Sequence, residues 1–466
     1  MNSLNHKLSL KEKISYGFGD LASVLYWQTF MLYFTYFYTD VFLIPASVAA
    51  TMFLVSRLWD GVNDPLMGIL ADRTKSRWGK FRPYLLWLCV PFAIAGVLTF
   101  TTPDFGMTGK IIWAYVTFIL IMMLYTAINI PYTALMGVIS PSSIERTSVS
   151  SIKFLFAFAA GIIVSATLLP MAQYLGNGND QKGWQLSFVV YGIAAIIFFL
   201  IAFKGTRERV LPPKSQIPNL KQDLKELVTN KPWLILLATT ITFILFVAVK
   251  GSVTVHYFKY VIGVQELNLP FLGSKTYDFV TLASAFNTVG QIASLLGVLA
   301  VTYVAKKFGK KKTFLLYFIV AIFSTGILYF LTAKQLGLIF FFQIIGSFTG
   351  GPLSVLLWAM YADTADYAEW KKGRRATGLI FSASTMSQKF GWAFGAYLAL
   401  TLMSQVGFQP NEAQNPDSLR GLLLLFSLIP AGLGVVSVLI SLAYPLNDKR
   451  VAEIELELGE RRKADQ

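Results

Sequence analysis

Cysteine, histidine and charge are all scarce in this 466-residue chain. The single cysteine, Cys89, excludes a disulfide framework and any cysteine-built metal site. The two histidines, His6 and His256, stand alone, so no histidine cluster for a metal can be read. Charged residues make up 14% of the chain, roughly half the ~25% of a soluble domain. Most of the chain is therefore expected to be solvated by something other than water. No period-two alternation appears, which leaves helices as the membrane-crossing element. Residues Met1–Ser9 are polar and carry no apolar core of a cleaved signal peptide.

What is abundant is apolar surface: 55% hydrophobic residues, with 38 Phe and 21 Tyr. A helix needs about 20 mainly apolar residues to cross the hydrocarbon layer. Twelve such stretches can be read. The first six cover 14–43, 45–71, 83–102, 110–137, 150–174 and 185–203. The second six cover 233–262, 277–304, 313–332, 337–361, 376–404 and 421–445.

The formal charge of +15 raises the question of nucleic acid, and the placement of the charges answers it. Of 40 Lys and Arg residues, 30 fall in the two termini and in loops on one side of the twelve-span reading. Five fall on the other side (Lys110, Lys182, Lys275, Lys334, Arg420) and five within helices or at their ends (Arg57, Lys153, Lys250, Lys259, Lys389). The positive-inside rule then predicts both termini in the cytoplasm of a multi-pass membrane protein. The basic balance is topological.

The longest internal loop, 204–232, splits the spans six and six. It contains Pro212, Pro213 and Pro218, then Leu220, Leu224, Leu227 and Val228 at helical spacing, and reads as a linker with a short surface helix. The expected domains are a bundle over 1–203, this cytoplasmic linker, a second bundle over 233–446 and a cytoplasmic tail over 447–466.

A charge inside a bilayer costs about 2.5–3.5 kcal/mol on insertion scales, so each one needs a reason. Three carboxylates fall firmly within the helices: Asp20, Asp60 and Asp64. Asp60 and Asp64 are one turn apart on one helix face, Asn63 adds an amide oxygen, and Arg57 lies a turn before Asp60. Two acids and an amide make a hard-oxygen site for an alkali cation or a proton. The alternative is a salt-bridge cluster with Arg57 that only holds helices together. Lys389 lies too deep in its helix to snorkel easily, and Lys153 is nearer an end. Lys250 and Lys259 read as anchors near the outer surface. Trp27, Tyr125 and Trp358 offer rings for a sugar to stack on, against the alternative of plain packing. Asn129-Ile130-Pro131 is expected to break the regularity of the fourth helix and free a carbonyl there, with Thr126 a turn earlier on Asn129's side. At the end of the second span, Gly68 is expected to allow close helix approach. Asp72, with Arg73, Arg77 and Lys80, reads as a gating loop.

At these residues the chain resembles the glycoside–pentoside–hexuronide:cation symporters, melibiose permease-like members of the major facilitator superfamily. The resemblance rests on Tyr16-Gly17-Phe18-Gly19-Asp20, on Arg57 through Pro65 with Arg77-Trp78-Gly79-Lys80-Phe81, and on Asn129-Ile130-Pro131. A fourth motif runs from Asp363 through Asp366 and Glu369 to Lys371, continued by Gly373 and Arg375. It implies an all-α, twelve-helix fold in two six-helix bundles and import of a sugar or glycoside with Na⁺, H⁺ or Li⁺, with no other cofactor; of these ions Na⁺ and H⁺ are the expected ones. It places Asp60, Asn63, Asp64 and Thr126 at the cation. Tyr125, Asn129, Lys153, Thr385 and Lys389 match positions of the sugar cavity or its charge network. To these the residue reading adds Asp20 and Trp358 as sugar contacts and Arg57, Asp72 and Arg77 as gating or ion-pair residues, and the fourth motif of the resemblance implies the same gating or ion-pair role for Asp363, Asp366 and Arg375.

Where melibiose-type members carry a sugar-binding carboxylate this chain has Val24, with its acid one turn earlier at Asp20. They carry Asp where it has Asn129 and Trp where it has Thr133. A galactoside is therefore not implied. The expected partners are the sugar, the monovalent cation and the bilayer, with a monomer as the working unit and no nucleic acid. An enzyme is excluded on the missing nucleophile–base pair, and a sensor is disfavoured. An uncoupled facilitator of the same fold remains the rival, and it has little use for two buried acids.

Overall fold

The computed structural model describes residues 7–140, 142–209, 227–269, 273–372 and 377–464. The first six helices are α1 Leu10–Tyr36, α2 Ala46–Arg73, α3 Arg82–Thr99, α4 Met107–Ile139, α5 Ser143–Gly176 and α6 Asp180–Gly205. After them come α7 Lys231–His256, α8 Phe279–Phe308, α9 Lys310–Gly326, α10 Leu336–Lys372 and α11 Thr377–Gln405. The twelfth span is two helices, α12 Pro416–Phe426 and α13 Leu428–Leu442, separated at Ser427. Two features were not anticipated. A short hairpin, β1 Gln265–Leu269 and β2 Gly273–Tyr277, follows α7, and the expected C-terminal tail contains a helix, α14 Asp448–Ala464.

The helix starts have local causes. Ser9, Ser142, Asn179, Asn230 and Asn415 each accept the backbone N–H three residues on, which satisfies one of the donors a helix leaves orphaned. α3 has no such cap of its own. Glu208, just beyond α6, supplies one from outside: its carboxylate accepts the N–H groups of Lys80, Phe81 and Arg82 at 2.9, 2.8 and 2.9 Å. A carboxylate there also meets the positive end of the helix dipole.

Helices α1–α6, with the segments Tyr277–Thr288 and Gln409–Glu412, form one compact unit, and the other described residues form a second. In the first, α1 packs on α5 and α6, and α3 packs on α4 and α6. In the second, α7 packs on α11 and α13, and α9 packs on α10 and α13. The pairing scheme repeats with an offset of six spans, an internal symmetry that side-chain identities had hidden. The second unit adds α14, which packs against α10 through buried Val451, Ile454 and Leu458.

Among the described residues, nine spans are apolar enough to cross a membrane on length and composition alone. Their outward residues are lipid-like, as with Leu299 at 70% exposure and Leu439 at 61%. Of the helices outside these nine, α1, α2 and α11 carry Asp20, Arg57, Asp60, Asn63, Asp64, Thr385 and Lys389. Polarity is concentrated where candidate chemistry lies.

Several expectations change. The last part of the 204–232 loop begins with a helical turn at Leu227 and Val228, while Leu220, Leu224 and the rest of 210–226 lie outside the described residues. At Pro131 the irregularity stays local: α4 continues, and the ring denies the Ala127 carbonyl its donor. Gly68 serves no close approach, since a Cβ there meets nothing within 4 Å.

Candidate functional site

In the first unit, two glycines of the α1 motif set the site. A Cβ on Gly17 would lie 2.7 Å from the Phe156 ring on α5, and one on Gly19 would lie 2.5 Å from the Tyr132 ring on α4. Only the hydrogen of glycine permits both approaches. Tyr16 and Tyr132 then stack with centroids 4.5 Å apart and exchange hydrogen bonds: Tyr16 Oη donates to the Tyr132 carbonyl at 3.0 Å, Tyr132 Oη to the Tyr16 carbonyl at 2.7 Å. This closeness brings α1's Asp20 to 3.6 Å from α5's Lys153. Asp20 is buried, and Lys153 Nζ lies 5.9 Å from the Tyr132 ring centroid. Asn129 donates to the Tyr125 carbonyl one turn back, at 3.0 Å.

α2 carries the other charges. Arg57 Nη1 is 3.0 Å from Asp60 Oδ2, both side chains essentially without solvent contact. The guanidinium carbon lies 4.7 Å over the Trp27 ring and 4.9 Å over Phe53. Trp27 in turn stacks on Tyr125 at 5.5 Å. Asp64, half-buried one turn beyond Asp60, accepts the Thr126 hydroxyl of α4 at 3.0 Å. Asn63 is half-buried beside it, its amide nitrogen lacking an acceptor. Pro65 follows directly and removes the donor that the Gly61 carbonyl would otherwise meet. The result is a carboxylate, a hydroxyl and a released carbonyl around one turn of α2.

The expected residues thus fall into two clusters in this unit, Asp20 with Lys153 and Arg57–Asp64 with Tyr125 and Thr126. Trp27, Phe53, Tyr16 and Tyr132 complete them. Asp40 and Glu12 are further buried carboxylates, beyond the three read from sequence. Asp40 accepts the Thr39 hydroxyl at 2.7 Å, and Glu12 binds Arg209 at 2.7 Å. Both acids lie close to helix ends, where sequence does not distinguish buried from solvated. Asp72 falls in the last turn of α2, and Arg77 stacks over Trp78 at 4.3 Å.

In the second unit, Thr385 and Lys389 are one turn apart on α11, Thr385 exposed and Lys389 half-buried. Trp358 packs edge-on against Tyr361 at 6.0 Å. The Tyr361 hydroxyl is 2.7 Å from Thr240 and donates to the Leu236 carbonyl at 3.1 Å. Asp363 is ion-paired to Lys310 at 2.6 Å, and Asp366 is half-buried on the same helix. Arg375 lies outside the described residues. Lys250 is not a surface anchor: it donates to Gln343 at 3.0 Å and lies 5.5 Å from the Phe426 ring. Among the described residues no group of three His, Cys, Asp or Glu side chains gathers for a metal.

The pairing scheme repeated between the two units, with polar and charged side chains inside apolar spans, defines a membrane transporter of the major facilitator class. The crystal structure of the nucleoside transporter NupG shares this fold, with a TM-score of 0.61 at 12% identity over 94% of this chain and 99% of that one. The chain belongs to the MFS/sugar transport protein family, whose model matches residues 15–448. It is therefore a transporter and not an enzyme. It is 36% identical over 460 residues to the putative glycoside/cation symporter YagG of Escherichia coli (strain K12), covering 98% of this chain and 96% of that one. The isoprimeverose transporter of Lactiplantibacillus pentosus is 34% identical over 452 residues, 95% of this chain and 91% of that one.

Proposed function

We propose that this sugar transporter imports a glycoside, in the pentoside or hexuronide range, by symport with one monovalent cation, Na⁺ or H⁺. It works by alternating access in a bacterial inner membrane, with both termini in the cytoplasm. One observation carries the reading. Asp64 accepts the Thr126 hydroxyl one turn beyond the buried Arg57–Asp60 pair, so a second carboxylate, an amide and a hydroxyl gather at one helix face inside the first unit. Asp64, Asn63, Thr126 and the released Gly61 carbonyl supply the oxygen donors that a desolvated alkali ion or a proton needs. Asp20 and Lys153 offer an acceptor and a donor to sugar hydroxyls, and Tyr125 or Trp27 offers a ring face. The relatives' names, a glycoside/cation symporter and an isoprimeverose transporter, support the same substrate class.

Cation and sugar then favour the same state, so each raises the other's affinity by the same factor. One positive charge moved through ~100 mV is worth about 2.3 kcal/mol, or roughly fiftyfold accumulation. The test is counterflow in vesicles with a panel of glycosides, pentosides and hexuronides, each with and without a Na⁺ or a pH gradient. Accumulation that follows neither gradient would make the protein a facilitator.

A further inference from the structure

The apolar spans containing α10 and α13 end at Lys371 and Leu442, and a short turn then leads into α14. Between these parts lies a cavity of about 510 Å³. Two rings line it, Tyr367 and Trp370, with two cations, Lys371 and Arg450, and the turn from Pro445 to Asn447. Both charged side chains that line it are cationic, and the nearby carboxylates, Glu453 and Glu457, stand behind the wall rather than in it. The Arg450 guanidinium lies 4.8 Å over the Trp370 ring, and Lys371 Nζ is 3.3 Å from the Tyr367 hydroxyl.

The walls are held from outside. Trp370 Nε1 donates to Glu457 at 2.6 Å, pinning α14 to α10, and Asn447 caps α14 by accepting the Arg450 N–H at 2.8 Å. Arg450 also pairs with Glu453 at 2.7 Å, yet 40% of its side chain stays open to solvent. A guanidinium has five donors in a planar fork, so it can hold Glu453 and a second acceptor together.

We propose that this pocket seats the phosphate of an anionic phospholipid headgroup. Its level argues for lipid: two spans end there, and Trp and Tyr favour the headgroup layer. Basic pockets between membrane helices are the places where anionic headgroups dock. The approach is apolar as well. Leu439 and Leu442 are 61% and 53% exposed on α13. The same helix and α9 line a wholly apolar groove of about 270 Å³ between Ile319 and Leu439. That groove begins on the order of 10 Å along the helix from Pro445. A soluble phosphate has no use for such a surface, whereas an acyl chain does.

The test titrates the purified full chain in neutral detergent with phosphatidylglycerol, read by native mass spectrometry. Its comparison is a Lys371→Gln, Arg450→Gln, Glu453→Gln variant, in which Glu453 is neutralised together with its partner. Two basic residues near an anionic headgroup are worth roughly thirtyfold in affinity, so the variant should bind phosphatidylglycerol about that much more weakly. Phosphatidylcholine binding should be alike in both. A second arm leaves all charges in place: brominated phosphatidylglycerol should quench wild-type fluorescence more than brominated phosphatidylcholine, with the excess lost in Trp370→Phe. Equal phosphatidylglycerol affinities, or equal quenching by the two lipids, would overturn the proposal. Displacement of the lipid by millimolar inorganic phosphate would reassign the pocket to a soluble anion.

Discussion

Arg57 and Asp60 meet at 3.0 Å in full burial, whereas Asp64, one turn further along α2, turns to the hydroxyl of Thr126. The two acids that share a helix face therefore do different work. Asp60 is paired with a fully buried guanidinium, and removing one partner of a buried pair costs about 3–5 kcal/mol. Asp60→Asn is expected to lower the melting temperature and yield along with transport. Asp64→Asn keeps an acceptor for Thr126 and should stay within about 1 kcal/mol of wild type. It should lose uphill accumulation while downhill sugar exchange persists. Thermal unfolding beside accumulation and exchange in the same vesicles separates the two. Equal instability in both variants would contradict this division.

The Asp20–Lys153 pair, at 3.6 Å, is looser than the Arg57–Asp60 pair and more open to water. A sugar hydroxyl can enter between such groups at small cost. Asp20→Ala should abolish sugar binding and leave Na⁺ or H⁺ binding intact, as measured by calorimetry with each ligand separately. Wild-type sugar affinity in Asp20→Ala would make the residue structural.

How much of this was legible depends on the range over which the cause acts. The spans could be read because each is a run of about 20 apolar residues, and the Asp60–Asp64 face because i and i+4 adjoin on any helix. Which acid takes Arg57 and which takes Thr126 depends on how α2 packs on α4, and no local pattern encodes that. In sequence Glu208 is one charge among many in a basic loop, yet it caps α3 from more than a hundred residues away. α14 leaves little trace in sequence because its apolar stripe, Val451, Ile454 and Leu458, is thin and sits among charges. Gly19 and Gly68 look alike in sequence, but only Gly19 lies against a ring.

That contrast can be measured. Gly19→Ala drives a methyl into the Tyr132 ring, an overpacking worth about 1–3 kcal/mol, and should loosen the Tyr16–Tyr132 exchange. Gly68→Ala meets open space and should gain about 0.5–1 kcal/mol from the helix's preference for alanine. Chemical unfolding of both variants checks the signs, and a destabilised Gly68→Ala would contradict the placement of that helix face.

Orientation is the next expectation. A cysteine placed at Asn177, between α5 and α6, should react with an impermeant reagent from outside, and one at Lys75, between α2 and α3, should not. Cys89 is first replaced in that background. The reverse labelling pattern would invert the membrane topology.

Acid should act first on the segment before α1. Glu145 lies ahead of the apolar span of α5, which starts at Ser148. It is held below the usual carboxylate range, chiefly by the hydrogen bond from Lys13 and then by the Leu8 N–H. A carboxyl whose folded pKa is depressed adds stability that is fully present above its unfolded value, about 4.3, and is lost as pH falls through the folded one. Residues 8–13 should therefore stay protected from hydrogen exchange at neutral pH and lose protection below about pH 4, after correction for intrinsic exchange. Glu145→Gln should lose it at every pH. Protection that is unchanged both in acid and in Glu145→Gln would show that the α1 contacts, and not this carboxylate, hold the segment.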